Sequence, residues 1–279
     1  MKLPEGFDFT QSNLKDYLDC PYRFYLKYIR RTKWPALLVD DALEFEERGK
    51  AGARFHRLVQ QYLLGISESR LGKIAESNPN PEIVGWWENF LQFVPPILKG
   101  QRYVETSLST PMLNHRLLAK YDLILVADKS QLVIFDWKTS NKRPRKEWLF
   151  NRVQTRLYRY ILAQAGGSLL ISDTVNPEQV TMNYWFAAHP EVPVTLTYDQ
   201  KAYEEDQTYL ENCINEILDR KEENFFRTKD LKKCRYCVYR SHCDRGVRAG
   251  DLESFEGFEM NEEDFELDLN FDQIQEIEF

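Results

Sequence analysis

The chain has 279 residues, of which 43% are hydrophobic and 14% aromatic, enough to bury the core of a globular protein. Its net charge of −7 comes from residues 251–279, which contain twelve acidic residues and no Lys or Arg, so the first 250 residues carry +5. No stretch approaches the roughly 18 apolar residues of a membrane-spanning helix, and the first ten residues lack the order of a secretory signal. We expect a soluble cytoplasmic protein with one domain over residues 1–250 and a flexible acidic tail.

In chain order, the first predicted elements are helices. Residues 10–30 predict two short helices with a break near Pro21. Residues 44–64 have helical periodicity and carry His56, and residues 82–94 predict a further helix that ends before two prolines.

The later segments alternate between strands and helices. The predicted elements are strands at 102–108, 115–126 and 131–138, a helix at 150–164, strands at 179–188 and 193–198, and a helix at 200–222. This order predicts an α/β fold. The chain has no GxxxxGK[ST] phosphate loop, so we expect no nucleotide-driven motor in it.

The third strand ends in Asp136-Trp137-Lys138, and alternation along a strand places Asp136 and Lys138 on one face. If a three-residue turn centred on Lys129 precedes this strand, Asp122 lies across from Asp136, whereas a four-residue turn would offset them. Facing carboxylates repel each other, and a bound Mg²⁺ or Mn²⁺ would remove that repulsion. An ordinary surface ion pair between Asp136 and Lys138 is the alternative.

Three further side chains could complete such a site. Gln154 and Tyr158 are four residues apart and share one helical face, where they could brace a nucleic-acid backbone or the lysine. His56 could add a neutral imidazole ligand, although a lone helical histidine is more often a structural residue.

Cysteine spacing predicts a second site. Four residues could share one metal centre: Cys20, Cys234, Cys237 and Cys243. A Cys₄ iron–sulfur cluster and a structural zinc both fit this spacing, and His242 could replace one thiolate at a zinc. Cys213 lies in the apolar pattern of the last helix and is expected in the core.

Basic residues follow the Asp136–Lys138 strand directly. They are Lys142, Arg143, Arg145 and Lys146 in a loop and Arg152, Arg156 and Arg159 on the next helix. Such residues could neutralise phosphates of a nucleic acid without reading its sequence. A solvated, charged loop is the alternative. The acidic tail could likewise be a solubilising segment, a self-inhibitor of this basic surface or a docking segment for a partner.

Taken in order, these motifs resemble RecB-type nucleases of the PD-(D/E)XK group over about residues 10–245. The likeness is greatest to CRISPR-associated and AddB-like members that carry iron–sulfur clusters. It implies a restriction-endonuclease-like core, a mixed central sheet flanked by helices in the order αβββαβ, with terminal helical extensions joined by a metal cluster. Ala119 departs from the glycine that these nucleases usually have three residues before the first aspartate.

The resemblance also implies roles for individual residues. His56, Asp122, Asp136 and the carbonyl of Trp137 would bind Mg²⁺ or Mn²⁺, and Lys138 would orient the attacking water. The four cysteines would hold a [4Fe–4S] cluster. The implied activity is hydrolysis of DNA, on single strands or ends and as an exonuclease, in repair, recombination or CRISPR-type processing, with a helicase as a possible partner. A non-catalytic DNA-binding or assembly subunit is the alternative.

Overall fold

A computed structural model describes residues 3–32, 40–127, 130–170, 174–234 and 237–245. The α-helices of the described part are α1 (Gln11–Asp19), α2 (Pro21–Phe24), α3 (Asp40–Leu63), α4 (Glu68–Glu76), α5 (Glu82–Phe93), α6 (Lys146–Phe150), α7 (Val153–Ala165) and α8 (Gln200–Asp219). The strands are β1 (Asp8–Phe9), β2 (Gln101–Met112), β3 (His115–Ala127), β4 (Gln131–Lys138), β5 (Val180–Phe186) and β6 (His189–Thr197).

The strands form one mixed sheet in the order β1-β3-β4-β5-β6, and β2 pairs with β3. Neighbouring strands run antiparallel except for the parallel pairs β1–β3 and β4–β5. The parallel pair β4–β5 needs a crossover, which α6 and α7 supply, as expected for parallel strands. The predicted α/β class with a mixed sheet flanked by helices is therefore confirmed.

Two hydrophobic cores cover the two faces of the sheet. The first packs against α1, α7 and α8, and the second packs against α3, α4 and α5. Alternation in β4 sends Ile134 to the first core and Phe135 and Trp137 to the second. In the second core Phe90 packs edge-to-face on Trp137 and Trp185, a geometry that adds about 0.5–1.5 kcal/mol per ring pair.

Cys20 separates the two N-terminal helices, as predicted. Thr10 is the N-cap of α1 and forms a capping box with Asn13, whereas Cys20 is extended and Pro21 begins α2. A π-helical turn, Tyr25–Ile29, continues α2. Two 3-10 turns of the C-terminal segment, Leu231–Cys234 and Ser241–Cys243, carry Cys234 and Cys243, and Cys237 lies between them.

Four elements differ from the sequence-based prediction. The strand β1 and the helix α4 were not predicted, because β1 is only two residues long and α4 is mostly polar and contains Gly72. The helix predicted at 150–164 begins only at Val153, because the backbone is extended at Arg152 with ψ 144°. The short helix α6 precedes it and was predicted as the end of the basic loop. The acidic tail, residues 251–279, lies outside the described residues.

No helix in the described ranges is both long enough and apolar enough to span a membrane.

Candidate active site and cysteine cavity

The strands β3 and β4 separate where their aspartates stand. Their last paired residues at this end are Leu123 and Phe135, in the register that a three-residue turn requires, so the predicted register is confirmed. Asp122 and Asp136 come next, outside the ladder. The backbone N–H of Trp137 donates instead to Asp122 Oδ2 at 2.9 Å. The sheet thus opens at this point and presents two carboxylates from adjacent strands.

Asp122 is paired with the histidine of α3. The distance from His56 Nδ1 to Asp122 Oδ1 is 3.4 Å, and both side chains are largely buried. Burial raises the pKa of Asp122, but His56 and the Trp137 N–H outweigh that effect and hold the pKa below its ordinary value. This carboxylate is therefore ionised at neutral pH.

Asp136 belongs to a second group on the other side of the opening. It is 5% exposed, its Oδ2 lies 2.8 Å from Lys138 Nζ, and its Oδ1 accepts a 2.6 Å hydrogen bond from Gln154 Nε2. Gln154 Oε1 in turn accepts a hydrogen bond from Tyr184 Oη at 3.4 Å. Buried charges are stable only when paired and hydrogen-bonded, and Asp136 meets both conditions.

Tyr158 lies away from this group. Its hydroxyl donates to Gln11 Oε1 at 3.3 Å, its ring packs 4.9 Å from that of Tyr121, and it is 4% exposed. Of the two α7 residues predicted to act together, Gln154 contacts an acidic residue of the site, whereas Tyr158 contributes to the core.

Glu105 is a site residue that the sequence-based prediction missed. It stands opposite Asp122 in the β2–β3 register, but the ladder omits this pair, and Glu105 has a φ of +50°, which is rare and costly for a residue with a side chain. Lys120 Nζ lies 3.0 Å from its carboxylate. Burial and the charge of Asp122 both raise the pKa of Glu105. The sequence could have indicated Glu105, because pairing of the strands at 102–108 and 115–126 places this carboxylate directly across from Asp122.

The donors at this opening fit a divalent cation chemically. One imidazole and two or three carboxylates are the ligands that Mg²⁺ and Mn²⁺ accept in proteins. Within the described ranges, however, no three side chains of His, Cys, Asp or Glu are close enough together to hold an ion as they stand. Asp122 and Asp136 are each engaged by neighbouring protein groups, so the predicted three-ligand set is not preformed.

The basic residues after β4 divide into two sets. The loop residues Lys142, Arg143 and Arg145 are exposed, and so is Lys146, which is the first residue of α6 and not a loop residue as predicted. Arg152 is the N-cap residue of α7, and its guanidinium lies 3.6 Å from the centre of the Trp148 ring. The four exposed side chains lie along the chain that leaves Lys138 and can contact an anionic ligand, whereas Arg152 is largely buried.

Two arginines of α7 do not belong to that surface. Arg159 is fully buried and lies 3.0 Å from Asp206 Oδ2, so its prediction as a phosphate contact was wrong. Arg156 lies 2.7 Å from Asp206 Oδ1 and stacks on Tyr209. Asp206, 50 residues further along the chain than Arg156, draws both guanidinium groups to α8.

The four predicted cysteines line one cavity. Its lining also contains Arg23, Arg227, Lys233, Arg240 and Arg245, together with Cys20, Cys234, Cys237 and Cys243. His242 is exposed and is not part of this lining, which favours a four-cysteine set over three cysteines and a histidine. Cys213 lies buried in α8 within the first core, where the apolar pattern placed it.

Cations and backbone groups surround the thiols. Arg245 donates to Cys234 Sγ at 2.8 Å, and the N–H of Thr228 donates to Cys20 Sγ at 3.4 Å. Burial raises the pKa of Cys237, and the nearby charge of Arg23 acts in the opposite direction. No three of these thiols, all within the described ranges, are close enough together to hold an ion as they stand. The donor type alone, four thiols with cationic neighbours, fits a soft, anionic metal–sulfur group chemically.

Comparison with known proteins gives a family for this chain. The sequence profile of the PD-(D/E)XK nuclease superfamily matches residues 8–244. Comparison with curated protein sequences finds no match.

Two solved structures are similar at 13% sequence identity. One is a "Putative exonuclease" from Eubacterium rectale, with a TM-score of 0.44 over 76% of this chain and 80% of that one. The other is SSO0001, with a TM-score of 0.41 over 87% of this chain and 88% of that one. Since the superfamily profile spans the whole sheet, both aspartates and the four cysteines, the chain belongs to the PD-(D/E)XK nuclease superfamily.

Proposed function

We propose that this protein is a divalent-metal-dependent nuclease that hydrolyses phosphodiester bonds of DNA. The observation that supports this most is the opening between β3 and β4, where Asp122 and Asp136 stand on diverging strands and Lys138 Nζ lies 2.8 Å from Asp136. Paired carboxylates with an adjacent amine can bind a cation and stabilise the charge that develops on a phosphoryl group.

In this proposal His56, Asp122, Asp136 and the Trp137 carbonyl hold Mg²⁺ or Mn²⁺. When bound, such an ion supplies Lewis acidity and lowers the pKa of an attacking water. Lys138 orients that water and offsets the negative charge on the phosphoryl oxygens. Gln154 fixes one oxygen of Asp136 by its 2.6 Å hydrogen bond, which leaves the other oxygen directed to the reacting groups.

We further propose that the substrate is single-stranded DNA or a DNA end and that the enzyme is a cytoplasmic exonuclease. The exposed loop cations can bind phosphates without reading bases. The sequence contains no phosphate loop of a motor, so a helicase partner would have to separate duplex strands in DNA repair or CRISPR-type processing.

The cysteine cavity is proposed to hold a [4Fe–4S] cluster that joins the α1–α2 corner to the C-terminal segment. All four thiols line it, and five cationic side chains can offset the negative charge of a thiolate-bound cluster. Structural zinc is the alternative occupant. A brown preparation that contains iron and sulfide supports the cluster, and a colourless one that contains zinc overturns it in favour of zinc.

The alternative function is a non-catalytic DNA-binding or assembly subunit. One observation favours it: in the described part of the chain, Asp136 is engaged by Lys138 and Gln154, and no three potential ligands converge. A subunit of this kind would bind DNA and would not cleave it with any divalent ion.

The test is cleavage of end-labelled single-stranded and duplex DNA with Mg²⁺ or Mn²⁺. We expect Lys138→Gln, which keeps a donor beside Asp136 but removes the charge, to reduce the rate by about 10²–10³-fold. The control Lys201→Gln removes a charge at a side chain that is 84% exposed on α8 and should cleave as the wild type does. Cleavage that is absent in the wild type, or equal in both variants, would contradict the proposal.

A further inference from the structure

Trp148 is a large aromatic side chain left exposed beside the candidate active site. It lies on α6, is 43% exposed, and follows the basic loop by two residues. The guanidinium of Arg152 lies over one face of its ring, 3.6 Å from the centroid. Arg152 thus covers one face of the ring, and 43% of the residue remains exposed to a ligand.

A series of buried hydrogen bonds fixes the position of α6 relative to Asp136. The carbonyl of Leu149, the residue after Trp148, accepts a 2.6 Å hydrogen bond from Thr155 Oγ1, which lies 2.7 Å from Tyr184 Oη. Tyr184 also contacts Gln154, which holds Asp136. The exposed ring is therefore held at a set distance from the carboxylates, on a scaffold that itself packs in the core.

The charge around this ring suits a polyanion. Arg152 is largely buried, and burial lowers its pKa to about 10 although Tyr184 and Asp136 act to raise it, so it is a cation at neutral pH. The exposed loop cations precede α6, and Glu147 is the acidic residue on the helix itself. A ligand that reaches Trp148 thus meets positive charge on the loop side and behind the ring.

We propose that Trp148, backed by Arg152, is a stacking subsite for one unpaired nucleobase of a single-stranded nucleic acid whose backbone runs along the basic loop. Every nucleobase has a π-face that can stack on an aromatic ring, and the bases of an intact duplex have theirs covered by neighbours. This subsite therefore favours single strands and frayed ends over duplex. The inference deepens the proposed nuclease function and rests on the strand passing the same site.

The first test measures binding and not cleavage. Fluorescence anisotropy of labelled oligo-dT and of a duplex of equal length is recorded with the full chain carrying Lys138→Gln, which prevents cleavage. Adding Trp148→Ala should weaken oligo-dT binding roughly 10- to 100-fold, the range for loss of one stacked base. Trp148→Phe should restore most of the affinity, and duplex binding should change by less than about threefold.

The control variant is Phe226→Ala, which removes an aromatic side chain that is 63% exposed and lies next to the α2 backbone. It should leave oligo-dT affinity unchanged. Urea unfolding should be nearly the same for Trp148→Ala and its parent, because Trp148 belongs to neither hydrophobic core. A loss of oligo-dT and duplex affinity by the same factor would overturn the stacking role.

A double-mutant cycle identifies the base. A single abasic position is moved along the oligo-dT. At one position it should weaken binding to the protein that retains Trp148 by the same factor as Trp148→Ala weakens binding to intact oligo-dT. At that position the two changes should not add, because both remove the same contact. Additive losses at every position would overturn the proposal. If the cycle shows coupling while wild type fails to cleave DNA, the subsite stands and the nuclease proposal fails.

Discussion

The opening between β3 and β4 and the cysteine cavity both collect side chains from distant parts of the chain, but different backbone holds them. At the opening, His56, Asp122, Asp136 and Gln154 stand on α3, β3, β4 and α7, whose backbones are fixed by regular hydrogen bonds. At the cavity Cys20 stands at the corner between two short helices, Cys234 and Cys243 stand on 3-10 turns, and Cys237 lies between those turns.

This difference indicates that the backbone at the opening positions side chains accurately, whereas the cavity is suited to hold distant segments together. A catalytic site needs side chains held to within a fraction of an ångström, which helices and strands provide. The cavity residues have little regular structure around them, so a group that binds all four thiols would cross-link segments more than 200 residues apart. Changes at the opening should therefore remove activity at nearly constant stability, and changes at the cavity should do the reverse.

The largest effect that tests this comparison is on stability. Cys20→Ala removes the one cavity thiol of the N-terminal corner. If the proposed metal centre joins the four thiols, this change should lower the free energy of unfolding by about 3–5 kcal/mol, as for lost cross-links that close long loops. Urea unfolding followed by circular dichroism measures it. Lys138→Gln keeps a hydrogen-bond donor beside Asp136, so it should lower the midpoint by less than Cys20→Ala does while it abolishes most cleavage.

The matched control is Cys213→Ala, which removes a buried thiol that does not line the cysteine cavity. It should cost about 1 kcal/mol or less through loss of packing and should leave any visible colour intact. If Cys20→Ala and Cys213→Ala destabilise equally, the cavity carries no cross-link and the comparison between the two regions breaks down.

A smaller effect concerns the charges beside the cavity. Asp19 lies 3.2 Å from Lys233 and 2.9 Å from Arg23, so it connects α1 to the C-terminal segment. Burial raises the pKa of Asp19, but the charges of Lys15 and its other cationic neighbours outweigh this and lower it to about 2. Because the folded pKa lies below the ordinary value of 3.8, this stabilisation is present above pH 4 and is lost as the pH falls through 2.

We therefore expect the free energy of unfolding of the wild type to fall by about 2 kcal/mol more than that of Asp19→Asn between pH 5 and pH 2. The measurement is a series of urea titrations at each pH. Glu205→Gln, at a 54% exposed carboxylate 3.8 Å from Lys201, should titrate in parallel with the wild type. If the curve of Asp19→Asn were also parallel to that of the wild type, the ion pairs of Asp19 with Arg23 and Lys233 would add nothing to the free energy of unfolding.

Much of the opening was predictable because strand geometry is periodic. The two-residue alternation fixed Asp136 and Lys138 on one face, and the length of the β3–β4 turn fixed Asp122 across from Asp136. The residues alone left His56 open between a ligand and a structural histidine, since a helical histidine has no local signal for a partner on a strand, and only the resemblance favoured the ligand.

The rest depended on contacts between residues far apart in sequence. Arg156 and Arg159 have the spacing of a phosphate-binding face, but Asp206 on α8 pairs with both. Glu105 reaches Asp122 through a left-handed backbone that no local pattern signals in a non-glycine residue. Tyr158 shares a helical face with Gln154 yet bonds Gln11 of α1, because helix packing decides which turn of α7 meets the sheet opening.

The smallest expected effect is on the salt dependence of DNA binding, and it distinguishes the cations beside the opening from those at the cavity. Those at the cavity face thiols, whereas Lys142, Arg143 and Arg145 face solvent beside the opening. Reversing these three charges to glutamate should reduce the slope of log affinity for single-stranded DNA against log salt by about 0.7 per lost phosphate contact, about 2 in all. Affinity is measured by anisotropy across a series of salt concentrations.

The matched control reverses three other exposed lysines, Lys201, Lys221 and Lys229, and so changes the net charge by the same amount. Phosphate contact is local and long-range attraction between the whole protein and DNA is screened within about 10 Å at 0.1 M salt, so the control slope should stay near that of the wild type. Equal slopes in the two triple variants would mean that net charge, and not the loop beside the opening, determines DNA binding. The loop would then lose its role as the path by which a strand reaches Asp136 and Lys138.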